Sequence, residues 1–177
     1  MDRFLRDQFL MEIKHQCNFA NIAYDDFVYV LSRMKIDRQM DRLWYSLQSF
    51  LIASANISKI FWPKNQSPYK ERGEFLRTLL KIDDSAPFKF RHPRNHFEHF
   101  DERLDDWYLE STHHNIIDTS IGNEMHISGK IDYMRFFNTQ KFVFRFRGDE
   151  YEINPIRNAL QELLVKVNSE LKWPPGF

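Results

Sequence analysis

The residues best suited to chemistry lie near the middle of the chain, in the stretch Arg94-Asn95-His96-Phe97-Glu98-His99. Arg94, Asn95 and His99 bring together a permanent cation, an amide and an imidazole. Histidine exchanges protons near neutral pH, so it can act as an acid or a base. A planar guanidinium binds and neutralises anionic oxygens. These residue types favour proton transfer beside a negatively charged group.

A helix predicted to run from Arg94 to Tyr108 would position these side chains. Its apolar residues fall on one helical face, at positions 97, 100, 104, 107 and 108. At about 100° per residue, the opposite face carries Asn95, His99, Glu102 and Asp106. Pro93 suits the first helical turn. We expect Phe97, Leu104 and Trp107 to be buried.

The two histidines of this helix have different expected roles. His96 projects near the edge of the apolar face, where a packing role is favoured over a site. His99 lies on the polar face, so it is either solvated surface or part of a site. An arginine five residues before a histidine occurs at Arg91/His96 and at Arg94/His99. The second pair is preferred because Pro93 separates Arg91 from the helix body.

Composition narrows the functional classes. The chain has 177 residues, enough for one domain with a sizeable core, and we expect a single domain over 1–177. The chain has equal numbers of basic and acidic residues, 25 each, which argues against binding of nucleic acid through the net charge of the whole chain. The single Cys17 suits the reducing cytoplasm. The charged N-terminus does not resemble a signal peptide, and the polar interruptions of 43–62 indicate a buried helix, not a membrane span.

Hydrophobic periodicity predicts a mainly α protein of the α+β class. Residues 1–110 should form an antiparallel helical bundle, with helices near 2–16, 25–35, 37–61, 70–82 and 94–108. Trp44, Phe50 and Leu51 should lie in its core. Residues 125–153 alternate instead, which predicts a small antiparallel β-sheet as an elaboration. A last helix is expected over 155–171.

The strand predicted at 142–147 has two faces with different interpretations. Phe142, Phe144 and Phe146 share one face, whereas Arg145 and Arg147 share the other. Aromatic rings beside arginines can stack bases and bind phosphates of RNA. The simpler interpretation is that the phenylalanines pack on the helices and the arginines face water.

The pattern Arg94-Asn95-x-x-Glu98-His99 at a helix start resembles the Arg-x4–6-His motif of the HEPN superfamily. The resemblance covers residues 1–110 and implies a helical bundle. Many members are metal-independent RNases of toxin–antitoxin or other defence systems, which implies RNA as substrate, an antitoxin or other protein partner, and no cofactor. It implies that His99 is the acid or base, that Arg94 stabilises the transferring phosphate, and that Asn95 positions one of them. It also implies a homodimer that pairs two such helices across one cleft.

Two other functions compete with RNA cleavage. A non-catalytic dimeric module of the same fold, used for interaction or nucleotide binding, would explain the fold equally well. A metal protein using His96 and His99 with a carboxylate is the third interpretation, since a spacing of three on a helix permits shared coordination. No second carboxylate–histidine segment supports it on another predicted helix.

Overall fold

The structure is a computed structural model that describes residues 1–63, 69–89, 92–123 and 131–171, without the side chains of 92–94. The elements, in order, are α1 (Arg3–Arg33), α2 (Met40–Phe61), α3 (Tyr69–Leu80), α4 (His92–Glu98), α5 (Phe100–Glu110), β1 (Ile116–Ile117), β2 (Ser120–Gly122), β3 (Asp132–Tyr133), β4 (Arg135–Asn138), β5 (Val143–Phe146), β6 (Asp149–Glu152) and α6 (Ile153–Glu170). The predicted class, mainly α with a small sheet before the C-terminal helix, is confirmed.

The chain divides into two compact units. The helical unit comprises Met1–Arg91 and Ile156–Phe177, and the sheet unit comprises His92–Pro155. Helices α4 and α5, which carry the candidate chemistry, therefore belong with the strands. That the whole chain is one domain stays a prediction.

A single long helix, α1, replaces the two helices predicted at 2–16 and 25–35. Asp2 caps its start, since an Asp2 side-chain oxygen accepts from the Leu5 backbone N–H at 3.0 Å. The buried stripe continues through the expected gap because its members recur every three or four residues: Leu10, Ile13, Cys17, Ala20, Ala23, Phe27 and Val30. Burial raises the pKa of the Cys17 thiol to about 12.

Helix α2 has the wide buried face that its sequence predicts. Trp44, Phe50 and Leu51 are buried, as expected. Ser54 is also fully buried, and its hydroxyl donates to the Phe50 carbonyl at 2.7 Å, which satisfies its polar oxygen. None of the described helices, α2 included, is long and apolar enough to span a membrane.

A polar cluster joins α1 to α2. Asp26 accepts hydrogen bonds from Arg42 and from the Ser46 hydroxyl. These bonds, the one from Arg42 first, hold the pKa of Asp26 below its usual value. The ionised carboxylate is therefore the form that the folded helical unit prefers.

We expect Asp26→Asn to lower the free energy of unfolding near neutral pH by about 1 kcal/mol, since half-exposed Arg42 leaves the pair partly screened by solvent. A depressed folded pKa gives stability that is present above the unfolded pKa and lost as pH falls through the folded pKa. The difference between wild type and variant should therefore shrink in acid. Urea denaturation across this pH range measures it, with exposed Asp25→Asn as the control; a pH-independent difference would contradict the linkage.

The sheet is mixed instead of purely antiparallel. Strands β4, β5 and β6 pair antiparallel, and β2 pairs parallel with β4 to give the order β2-β4-β5-β6. Strands β1 and β3 form a separate parallel pair. The sequence pattern missed β1 and β2 because they are only two and three residues long and half-buried on both faces. Residues 124–130 of the predicted elaboration lie outside the described residues.

One face of β5 forms the aromatic core of the sheet unit. Phe144 and Phe146 are fully buried, and Phe97 lies against both rings, with centroids 5.9 and 6.4 Å apart. Phe142 departs from the prediction: its φ of 56° places it before the strand, in a turn. The simpler interpretation of the phenylalanine row is thus confirmed for Phe144 and Phe146, whose rings are not available to stack RNA bases.

Candidate functional site

The helix predicted over 94–108 is interrupted at His99. Helix α4 ends at Glu98 and α5 begins at Phe100, with His99 between them at φ −117° and ψ 38°. Phe97 before the kink and Phe100 after it both contact the Phe146 ring edge-on. Because both rings pack against the same strand residue, one from each side of the kink, this contact stabilises the kink. The prediction of one continuous helix is therefore wrong at this residue.

His96 is a packing residue, as its position predicted. It is buried, and its ring stacks on Phe146 with a centroid distance of 4.4 Å and an interplanar angle of 6°. Its Nε2 lies 2.9 Å from an Asp149 carboxylate oxygen. His96 thus fixes α4 on β5. Arg91, its paired arginine in the sequence, lies outside the described residues.

His99 occupies a different environment, in contact with solvent. Its side chain is 45% exposed, and its Nδ1 lies 3.2 Å from an oxygen of Glu102. Its Nε2 makes no hydrogen bond to any described residue. A carboxylate beside Nδ1 favours the tautomer that carries a proton there, which leaves the lone pair on Nε2. Because nearly half of the side chain is exposed, the imidazole is accessible to an external group.

Asn95 lies one turn before His99 on α4. The two are linked through the backbone, because the Asn95 carbonyl accepts from the His99 N–H at 3.0 Å. Asn95 is exposed, so its amide is accessible to an external group. The backbone of Arg94 continues the same turn, but its side chain lies outside those described. The structure thus brings Asn95 and His99 to one surface, with Glu102 added.

The segment that carries these residues is acidic. Its carboxylates belong to Glu98, Asp101, Glu102, Asp105 and Asp106. Arg103 is the basic residue of α5, and its guanidinium lies 3.3 Å from Asp106. Negative charge at this density repels an approaching polyanion. RNA binding here requires basic groups from Arg94 or from another chain.

The metal interpretation gains no support from the geometry. His96 and His99 differ in burial and in partner, since His96 faces Asp149 and His99 faces Glu102. Among the described residues, no group of three or more His, Cys, Asp or Glu side chains is arranged to hold a metal ion. The spacing of three residues therefore does not produce a shared ligand pair.

A second polar cluster lies around Asp132. One Asp132 oxygen, Oδ2, accepts from the Trp107 indole N–H at 2.8 Å and from the Ser111 hydroxyl at 3.4 Å. The His113 Nε2 lies 3.6 Å from the same oxygen. Sequence periodicity could not find this cluster, because it joins the end of α5 and the loop after it to a strand much later in the chain. The adjacent histidines His113 and His114, in a predicted loop, were its one visible signal.

Comparison with known proteins adds nothing to this description of the site. The α4–α5 motif is short, and its link to known proteins depends on a few residue types at fixed spacing. The resemblance to the HEPN superfamily therefore stays a hypothesis based on Arg94, Asn95, Glu98 and His99. Comparison of the chain with protein-family models, with curated proteins and with solved structures found no significant match.

Proposed function

We propose that the chain is a metal-independent endoribonuclease of the HEPN type that cleaves single-stranded RNA, in a toxin–antitoxin or other defence setting. The observation that carries the proposal is the environment of His99. Its Nδ1 lies 3.2 Å from a Glu102 oxygen, and its side chain is 45% exposed at the point where α4 ends and α5 begins. A histidine with a carboxylate beside one nitrogen and access to solvent is suited to acid–base catalysis.

In the proposed reaction, Nε2 of His99 takes the proton of a ribose 2′-hydroxyl. The 2′-oxygen then attacks the adjacent phosphorus, and the bond to the leaving 5′-oxygen breaks as that oxygen gains a proton. The products are a 2′,3′-cyclic phosphate and a free 5′-hydroxyl. Glu102 stabilises the imidazolium that forms, Arg94 neutralises the phosphorane oxygens, and Asn95 orients the imidazole or the phosphate.

The reaction favours a homodimer. Proton removal from the 2′-oxygen and proton delivery to the 5′-oxygen occur on opposite sides of the phosphorus, and a single imidazole is poorly placed for both. A second copy supplies a second His99, so that one acts as base and the other as acid. It also supplies a second Arg94, which offsets the acidic surface of α5. Dimerisation is measurable by light scattering on the purified protein.

We expect purified protein to cleave mixed single-stranded RNAs at the same rate with and without EDTA, because no step uses a metal ion. Product ends analysed by mass spectrometry should carry 2′,3′-cyclic phosphate. Cleavage abolished by EDTA and restored by a divalent ion would favour the metal interpretation. A dimer that leaves every RNA intact would favour the non-catalytic module.

A second function, a non-catalytic interaction module, is favoured by one observation. Asp101, Glu102 and Asp105 are exposed on α5, a surface that complements a basic protein better than RNA. In this function His99 is simply a surface residue. A basic partner would bind with an affinity that falls as salt is added, and Asp101→Asn with Asp105→Asn would weaken it.

A further inference from the structure

The sheet unit contains a cavity of about 570 Å³, a size typical of small-molecule sites. Its walls come from three places in the chain. The end of α5 and the loop after it contribute Trp107, Ser111 and His113, and the β3 region contributes Asp132 and Tyr133. Arg145 of β5 and Arg147, in the turn after it, complete the wall, and Glu110 lies beside them. The cavity thus combines two cations, two carboxylates, several hydroxyls and aromatic rings.

Both arginines are held in place at the cavity wall. Arg145 is 24% exposed and donates from Nε to Glu150 at 3.0 Å, and Arg147 is 29% exposed and is paired with Glu110. The two carboxylates are more exposed, at 48% for Glu150 and 69% for Glu110. A phosphate can therefore replace the carboxylates at the guanidinium groups, while Glu110 and Glu150 turn into water. Planar guanidinium groups match the oxygens of a phosphate in pairs.

The carboxylate of Asp132 offers a fixed acceptor in the same cavity. Its Oδ2 is taken by Trp107 and Ser111, which fixes the orientation of the group. Its Oδ1 makes no hydrogen bond to any described residue and is free to accept one from a ligand. His113 is less available, because its Nδ1 accepts from the Asn115 backbone N–H at 3.3 Å and its Nε2 faces Asp132. This part of the cavity therefore favours a ligand group that donates a hydrogen bond, and it does not supply a general base for catalysis.

We infer that this cavity binds a nucleoside monophosphate whose base carries an exocyclic amino group. Arg145 and Arg147 bind the phosphate, Asp132 accepts from the amino group, and the Tyr133 ring packs beside the base. The site is separate from His99, and its occupancy does not depend on RNA cleavage. Binding is measurable whether or not the proposed endoribonuclease activity is found.

Two nucleotides with the same phosphate and sugar provide the sharpest test. CMP carries an amino donor at C4 where UMP carries a carbonyl oxygen, and the neighbouring N3 is an acceptor in CMP and an N–H donor in UMP. We expect calorimetric titration of the full chain to give CMP an affinity about tenfold higher than UMP, because the UMP carbonyl would face a carboxylate. Inorganic phosphate should compete weakly with CMP, and cytidine without phosphate should bind about tenfold more weakly than CMP.

Variants test each contact separately. Arg147→Gln should weaken CMP binding about tenfold or more, whereas Arg103→Gln removes a comparable ion pair of the same unit outside the cavity and should change nothing. Asp132→Asn gives a sharper result. The Trp107 N–H keeps the amide oxygen of the variant facing it, so the amide nitrogen takes the position of Oδ1. A hydrogen-bond donor then stands where the wild type has an acceptor. The preference should then reverse in favour of UMP.

The wild-type titrations alone can overturn the inference. Equal affinities for CMP and UMP would contradict the proposed role of Asp132. CMP binding that is undetectable at millimolar concentration would contradict the proposed site as a whole. CMP binding that survives Arg147→Gln unchanged would place the phosphate elsewhere. Thermal unfolding of each variant verifies that a lost affinity is not a lost fold.

Discussion

Replacing His99 by alanine should lower the rate of RNA cleavage by about 10²–10⁴-fold, the usual cost of losing a positioned acid–base group. The fold should survive, because the His99 side chain is half-exposed and its one close polar contact among the described residues is exposed Glu102. Single-turnover cleavage of a labelled RNA measures the rate, and thermal unfolding measures the fold. His15→Ala is the matched control, since His15 is an exposed histidine of α1 in the helical unit.

Two further variants separate chemistry from structure at this site. Arg94→Lys should also lose activity, because an ammonium group cannot reproduce the guanidinium fork. Glu102→Gln should keep part of the activity and lower the rate less than His99→Ala does, because the amide no longer stabilises the imidazolium that forms on His99 during the reaction. Full cleavage by His99→Ala would show that the site lies elsewhere in the chain.

Truncating Phe146 to alanine should lower the free energy of unfolding by about 3–5 kcal/mol, as for a fully packed aromatic side chain. Phe146 is completely buried, and its ring meets His96, Phe97 and Phe100. The truncation leaves a void at the point where α4 and α5 both pack on β5. Denaturant unfolding and amide hydrogen exchange of the sheet unit measure the loss.

Leu109→Ala is the control for this truncation. Leu109 lies on α5 in the same unit and is 82% exposed, so its loss should change stability by less than about 0.5 kcal/mol. A loss near zero for Phe146→Ala would mean that the aromatic face of β5 does not form the core. Because Phe146 also holds the kink at His99, the variant should lower any RNA cleavage as well.

Local periodicity predicted those helices whose buried stripes are made of large side chains. Helix α2, with Trp44 and Phe50, is an example. The continuity of α1 was missed because Cys17, Ala20 and Ala23 complete its stripe, and small residues give a weak hydrophobic signal.

The apolar face predicted over 94–108 was only partly correct. Trp107 is buried as expected, but Phe97 is half-buried and Leu104 is 40% exposed. The kink at His99 separates Phe97 from the two later residues, so the three do not share one continuous helical face. Spacing along the chain assumes an unbroken helix, and it therefore cannot predict which of these side chains the fold covers.

The candidate site was partly predictable for the same reason. Helical spacing placed Asn95, His99 and Glu102 on one polar face, and in the structure Asn95 and Glu102 are exposed and His99 is half-exposed. The kink at His99 depends on Phe146, which lies far along the chain, so local spacing contains no signal for it. The Asp132 cluster depends on a contact of the same long range. Local pattern therefore identified the polar face and missed the tertiary contacts that shape it.

The helical unit is discontinuous along the chain, and this sets the order in which it is completed during synthesis. Its last helix, α6, follows the sheet unit directly, and α6 buries Ile156, Leu160, Leu163 and Val167. A nascent chain that ends at Arg91 therefore exposes the apolar surface that these residues later cover. Helices α1 and α2 pack on each other and are synthesised early, but the ribosome must deliver the whole sheet unit before α6 can complete the helical core.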